Sequence, residues 1–228
     1  MTNNNVHIQK RKRLLFFAIC GIIPLLLVFL WLIIAAILAP GYTGSIYISP
    51  ISVGFYAMIQ NFVFVVLGLL TIGLAIGLQI GLSSPKNRLL KIGVWSVIIF
   101  SLGILFAGLL PLAGVVPENY IVRVPYTFLS AIAFAVTFGA YITAQMLIGK
   151  GLKNENSVIW SKYSKYSFRS GLLYIILVIL LILTILFDIY PGGSQRVFFM
   201  VSWVWILLTG IKLYLISTNR KPISNRWI

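Results

Sequence analysis

A chain of 228 residues that is 60% apolar and only 9% charged has too few polar groups to cover a water-exposed surface, which excludes a soluble globular domain. A net charge of +15 would suit nucleic acid in a soluble protein, but here the lysines and arginines fall in short segments between long apolar runs, the pattern of membrane topology. The single cysteine, Cys20, lies inside the first apolar run and has no intramolecular partner, and the lone histidine, His7, has neither a second imidazole nor a thiolate beside it. No metal or cofactor is therefore expected.

The first run, Leu14 to Ala39, follows Lys10, Arg11, Lys12 and Arg13, as both signal peptides and signal anchors do. A signal-peptide core is roughly 7 to 15 residues long, and this run is well beyond that, so it is expected to be a retained spanning helix with a kink at Pro24. Five further runs follow, giving spans over about 14–39, 54–82, 89–112, 124–149, 171–189 and 197–217, with basic tails at 1–13 and 218–228. The predicted fold is all-α, a polytopic membrane protein of six transmembrane helices. All basic residues except Arg123 and Arg196 then fall on one side, which places the N-terminus and the C-terminus in the cytoplasm.

Small residues rank the helices. Gly73, Gly77 and Gly81 recur every four residues on the second span, and Ala131, Ala135, Gly139 and Thr143 do so on the fourth. Such stripes allow close helix packing in lipid, so the second span is expected to be the hub of the bundle and to pair with the fourth. The fifth span, rich in branched aliphatics, is expected outside. Gln79 and Gln145, at similar depth, are expected to hydrogen-bond to each other and help fix register. The same stripes would serve equally between subunits, which leaves a homo-oligomer or a membrane-protein partner open.

Charge bordering a membrane span is where a site is sought, because keeping it there is costly. Glu118, Arg123, Asp188 and Arg196 border the outer ends of the spans, and Tyr47, Tyr56, Gln60, Asn61 and Tyr126 complete a possible polar mouth that would hold a ligand headgroup. The competing reading is loop salt bridges within an interfacial tyrosine belt. The alternating segment from Gly41 to Ser52 suggests a lid over that mouth, or a plain connector. On the other side, the longest loop, residues 149–171, interleaves Trp160, Tyr163, Tyr166 and Phe168 with Lys162, Lys165 and Arg169. With a bilayer adjacent, contact with the anionic lipids of the inner leaflet is favoured over nucleic acid. No nucleophile–base set, paired intramembrane carboxylates, phosphate loop or metal motif is present in the sequence, which favours a non-enzymatic role. That leaves a lipid- or amphiphile-binding or accessory subunit, with a small transporter as the alternative and a lipid-modifying enzyme as the third reading.

The segment PGYTGSIYISPISVGFY followed by NFVFVVLGLLTIGLAIGL resembles the domain-of-unknown-function 998 family of six-span prokaryotic membrane proteins, as do ILFAGLLP, YSKYS and GGSQR before a helix with Trp203 and Trp205. The resemblance runs from about Gly21 to Leu215. It implies a multi-pass protein of a prokaryotic plasma membrane and carries no reaction with it. An acidic residue in the first outer loop and a histidine opening the fourth span, common in that family, are replaced here by SPISVG and VRVPYTF, so no site built on that pair transfers.

Overall fold

The structure, a computed structural model, describes residues 3–38, 55–82, 87–109, 120–153 and 158–218. They form six helices: α1 (Asn3–Leu38), α2 (Phe55–Gly81), α3 (Arg88–Leu109), α4 (Tyr120–Lys153), α5 (Val158–Leu186) and α6 (Pro191–Thr218). Each contains a stretch long and apolar enough to cross a bilayer. Within lipid a helix satisfies its own backbone polar groups, so these runs have essentially one way to fold. The protein is an all-α, six-span membrane protein.

The two largest departures from the expected boundaries are both toward more helix. α1 begins at Asn3, so the basic cluster is its first turns rather than a tail. α5 begins at Val158, thirteen residues before the expected start, and takes up most of the supposed basic–aromatic loop. The helix extends because Trp160, Tyr163, Ser164, Ser167 and Gly171 recur at helical spacing and are buried as one face. Ser164 Oγ donates to the Gly149 carbonyl and Ser167 Oγ to the Gln145 carbonyl, each at 2.8 Å, tying this extension to α4.

Consecutive helices pack in a ring, α6 closes back on α1, and α6 also reaches α2. The expected pairing of the second and fourth helices is not formed: among the described residues the α2 and α4 backbones do not approach each other. The α2 glycines instead receive α1 and α6. Gly73 lies against Cys20, Gly77 against Phe17, and Gly81 against Leu213 and Leu14. The α4 stripe turns outward, with Ala131, Ala135 and Gly139 exposed and open space around Gly139. Gln79 is exposed on α2 while Gln145 is buried on α4, so the expected glutamine pair does not form either.

The hub is α6, not α2. Half of its spanning segment is buried, the largest share of any helix, against 17% for α5, which lies at the periphery. Every other helix places an aromatic ring on α6. Trp31 of α1 and Phe64 of α2 meet Phe199 at 6.2 and 5.5 Å between centroids. Phe100 of α3 meets Trp203 at 6.1 Å, Tyr141 of α4 meets Trp205 at 5.7 Å, and Tyr174 of α5 meets Phe198 at 4.9 Å. Between α1 and α6 the backbones touch, because a Cβ on Gly210 would lie 2.7 Å from the Gly21 carbonyl carbon.

A two-sided reversal joins α5 to α6. Asp188 and Tyr190 both have positive φ, 53° and 50°, and the Tyr190 carbonyl accepts from both the amide and the hydroxyl of Ser194. A left-handed conformation costs most L-residues about 1–2 kcal/mol, less for Asp, and glycine is free of it. Asp188→Gly is therefore expected to hold or slightly raise thermal stability, and Asp188→Val to lower it by about 1 kcal/mol or more, read as the melting temperature of the purified protein.

Candidate functional site

The ends of the six helices define two poles. At the basic pole lie the starts of α1, α3 and α5 and the ends of α2, α4 and α6, with Lys10, Arg11, Lys12, Arg13, Arg88, Lys91, Lys150, Lys153, Lys162 and Lys165. The opposite pole holds the residues expected to form a polar mouth. There Asp188 is exposed in the α5–α6 turn, Arg196 is half-buried on α6, Gln60 is buried on α2, and Asn61 gives its backbone carbonyl to the close approach of Gly108. Tyr56 belongs to α2, and Arg123 and Tyr126 belong to α4. Tyr47 and Glu118, and the expected lid from Gly41 to Ser52, lie outside the described residues.

A half-open cavity lined by described residues lies at the basic half of the bundle, between α4, α5 and α6. It has a volume of about 690 Å³. α5 leans chiefly on α4 and meets α6 over a shorter stretch. The α5–α6 seam is bridged by long side chains. Tyr163 donates to Thr209 Oγ1, and Tyr174 donates to Ser202 Oγ. These directions follow from the acceptors, since Thr209 and Ser202 each spend their own proton on an α6 carbonyl one turn earlier, at 2.6 and 2.7 Å. Trp205 Nε1 donates to Ser167 Oγ at 3.0 Å, and Tyr141 donates to the Ser202 carbonyl. Beside the cavity there is thus a fixed polar network linking two helices, α4 and α5, to the hub.

Its lining is graded along the membrane normal. Along α5 it runs from the basic pole through Lys162, Lys165, Tyr166, Arg169 and Ser170 to Leu173 and Leu177, so the charged part precedes the apolar part, and Tyr141 and Gln145 of α4 with Val201, Val204 and Trp205 of α6 complete it. The three cations sit at spacings of three and four on α5, one helix face, where like charges repel one another. All three are exposed, and no acidic side chain is among the lining residues. Neighbouring basics are placed differently: Lys150 Nζ lies 5.5 Å from the Phe168 ring and Lys212 Nζ 5.8 Å from the Trp160 ring, each over an aromatic face. Among the described residues no group of His, Cys, Asp and Glu is placed to hold a metal ion.

Residues 22–212 match the model of a family described as "Protein of unknown function (DUF998)". The chain belongs to the DUF998 family. No curated protein and no solved structure matches it. The family match spans every residue that lines the cavity.

In this DUF998 chain the cavity joins cations, with no acid among its described lining, to an apolar slot, an arrangement suited to a molecule with an anionic head and a hydrocarbon tail. Of the residues that line it, the sequence singles out Gln145 as an interhelical polar residue, Tyr166 and the α5 cations for lipid contact, and Trp205 for the family resemblance, without joining them into one site. The missed residues are Tyr141 and Tyr174. A signal for them was present in α6, where Ser202 and Thr209 stand seven apart beside Trp203 and Gly210, also seven apart, a repeat that keeps one face inward over two turns.

Proposed function

We propose that this DUF998 protein binds an anionic amphiphile from the surrounding membrane, in a non-enzymatic lipid-binding or accessory role. The head sits against Lys162, Lys165 and Arg169, and the chain runs along Leu173, Leu177, Val201 and Val204 between α5 and α6. The observation that carries this reading is the graded lining of one cavity: three like-charged groups on one helix face, without an acid among the lining, directly continuous with an apolar slot. If basic loops face the cytoplasm, the occupied leaflet is the inner one of a prokaryotic plasma membrane.

Each basic group near an anionic lipid surface contributes about 1 kcal/mol, so removing three is worth about 3 kcal/mol, or roughly a hundredfold in affinity. The combined variant Lys162→Ala, Lys165→Ala and Arg169→Ala is expected to lose retained dioleoyl phosphatidate by about that factor in native mass spectrometry. These side chains are exposed, so the fold survives their removal. The matched variant Lys10→Ala, Lys12→Ala and Arg13→Ala removes as much charge from the same pole outside the cavity. Equal losses from both variants would mean general attraction to anionic lipid and would overturn the cavity reading.

A further inference from the structure

The cavity contains a group that a simple anion-and-tail reading leaves unused. Gln145 is 1% exposed and lines the cavity, and its Oε1 has no hydrogen-bond partner. Of the two ends of this amide it is Oε1 that lacks a partner, and the Tyr141 hydroxyl one turn earlier on α4, whose one proton goes to the Ser202 carbonyl, has none to give it. Oε1 is left as a buried, unpaired acceptor, which is unfavourable until something donates to it.

The hydroxyls and the indole of the network beside Gln145 have their protons committed elsewhere, and the Tyr166 hydroxyl, which also lines the cavity, is not bonded to Gln145 Oε1. Tyr141, Tyr163 and Tyr174 donate to α6, Ser167 Oγ donates to the Gln145 carbonyl, Trp205 Nε1 donates to Ser167, and Ser170 Oγ donates to the Ser167 carbonyl at 2.9 Å. Gln145 therefore brings an unpaired acceptor to the wall of the cavity, just beneath its surface, so that a turn of the amide side chain brings Oε1 to a ligand, while the rim presents cationic donors.

The two are also separated in depth. The Ser167–Gln145 bond sets their common level, and Lys165 and Lys162 lie two and five residues nearer the start of α5, about 3 and 8 Å toward the basic pole. Side chains lean toward the N-terminus of their own helix. On α5 that carries the lysines and Arg169 toward the basic pole, and on the antiparallel α4 it carries Gln145 toward the membrane interior.

Resting on the amphiphile reading above, we infer that the ligand is a phosphate-type anionic lipid carrying a hydrogen-bond donor on the chain side of its anionic group, received by Gln145 Oε1. A free glycerol hydroxyl, as in a lysophosphatidate, and an amide N–H, as in a ceramide phosphate, supply the same chemistry. A headgroup hydroxyl on the far side of the phosphate does not reach this position.

The test is a native mass spectrometry titration of the full chain in detergent with three probes. These are 1-oleoyl lysophosphatidate, the otherwise identical oleoyl propanediol phosphate that lacks the free hydroxyl, and ceramide 1-phosphate. Lysophosphatidate is expected to be held about tenfold more tightly than the propanediol ester. Gln145→Leu should remove that preference by weakening lysophosphatidate alone, and its unchanged binding of the propanediol ester reports an intact cavity. The ceramide probe distinguishes the source of the donor: binding that depends on Gln145 supports an N–H donor as well, and binding indifferent to Gln145 confines the inference to the hydroxyl. Equal wild-type affinity for lysophosphatidate and the propanediol ester would overturn the inference while leaving the amphiphile reading standing, and that comparison needs no variant. If neither ester binds, the amphiphile reading fails and the donor inference with it.

Discussion

Gly210→Ile is expected to lower the thermal stability of the purified protein by about 3 kcal/mol or more, at the upper end of what overpacking costs. At Gly210 the nearest atoms to an added Cβ are backbone: the Gly21 carbonyl carbon at 2.7 Å, and the Ala18 carbonyl oxygen and Gly21 Cα at 2.9 Å. None of these is the far end of a side chain that can rotate away, so α1 must separate from the hub. Gly139→Ile, on the outward face of α4 with nothing within 4 Å, is the matched control and is expected to be near neutral. The readout is the temperature at which the monodisperse species is lost. Equal behaviour of the two variants would mean that α1 and α6 do not touch at this crossing.

Trp203→Ala is expected to cost about 3–5 kcal/mol, while Trp95→Ala costs little. Trp203 is 1% exposed and packs against Phe100 and Phe199, whereas Trp95 is 63% exposed on α3. In lipid the hydrophobic effect between helices is largely absent, so what Trp203 loses is dispersion contact with its neighbours and what remains is a cavity. Trp95 already faces outward and leaves no void. The intermediate substitution Trp203→Phe should cost under about 1.5 kcal/mol, because Trp203 Nε1 has no partner and no hydrogen bond is lost. A large loss from Trp203→Phe would show that the indole nitrogen is bonded after all.

The six helices and their order were legible because a spanning run of apolar residues has a length fixed by the bilayer, and each of the six runs exceeds it. The start of α5 was not legible by that measure. Lys162, Lys165 and Arg169 depress the hydropathy of the segment just where Trp160, Tyr163, Ser164 and Ser167 carry a buried helical face. Mean hydropathy averages over the two faces, and only the spacing separates them.

Small-residue stripes misled about the centre for a related reason. Glycine permits close approach without saying which helix approaches. On α2 the stripe receives Phe17, Cys20 and Leu213 from two helices, and on α4 it receives nothing. The choice of α6 as hub depends on long-range complementarity: Ser202 accepting from Tyr174, Ser167 accepting from Trp205, and Gly210 seated on Gly21. Such matches lie between residues tens to nearly two hundred positions apart, where a single sequence holds no periodicity to read. The cavity was hidden for the same reason, since its lining comes from three helices, and the one lining residue flagged for buried polarity, Gln145, was assigned to a partner on the wrong helix.

The placement of the hub has a consequence for biogenesis. α6 is C-terminal to all five helices that rest on it, so during synthesis those five enter the membrane before the element that joins them exists. Until α6 arrives, the rings of Trp31, Phe64, Phe100, Tyr141 and Tyr174 lack the surface they share, and α1 must hold Gly21 open for a partner almost the whole chain away. Contacts this distant in sequence form late and leave earlier elements exposed to competing partners. Maturation of this protein therefore ends on a closing step: α1 to α5 pack on their neighbours as they arrive, and a ribosome stalled before α6 would leave that ring open and without its centre.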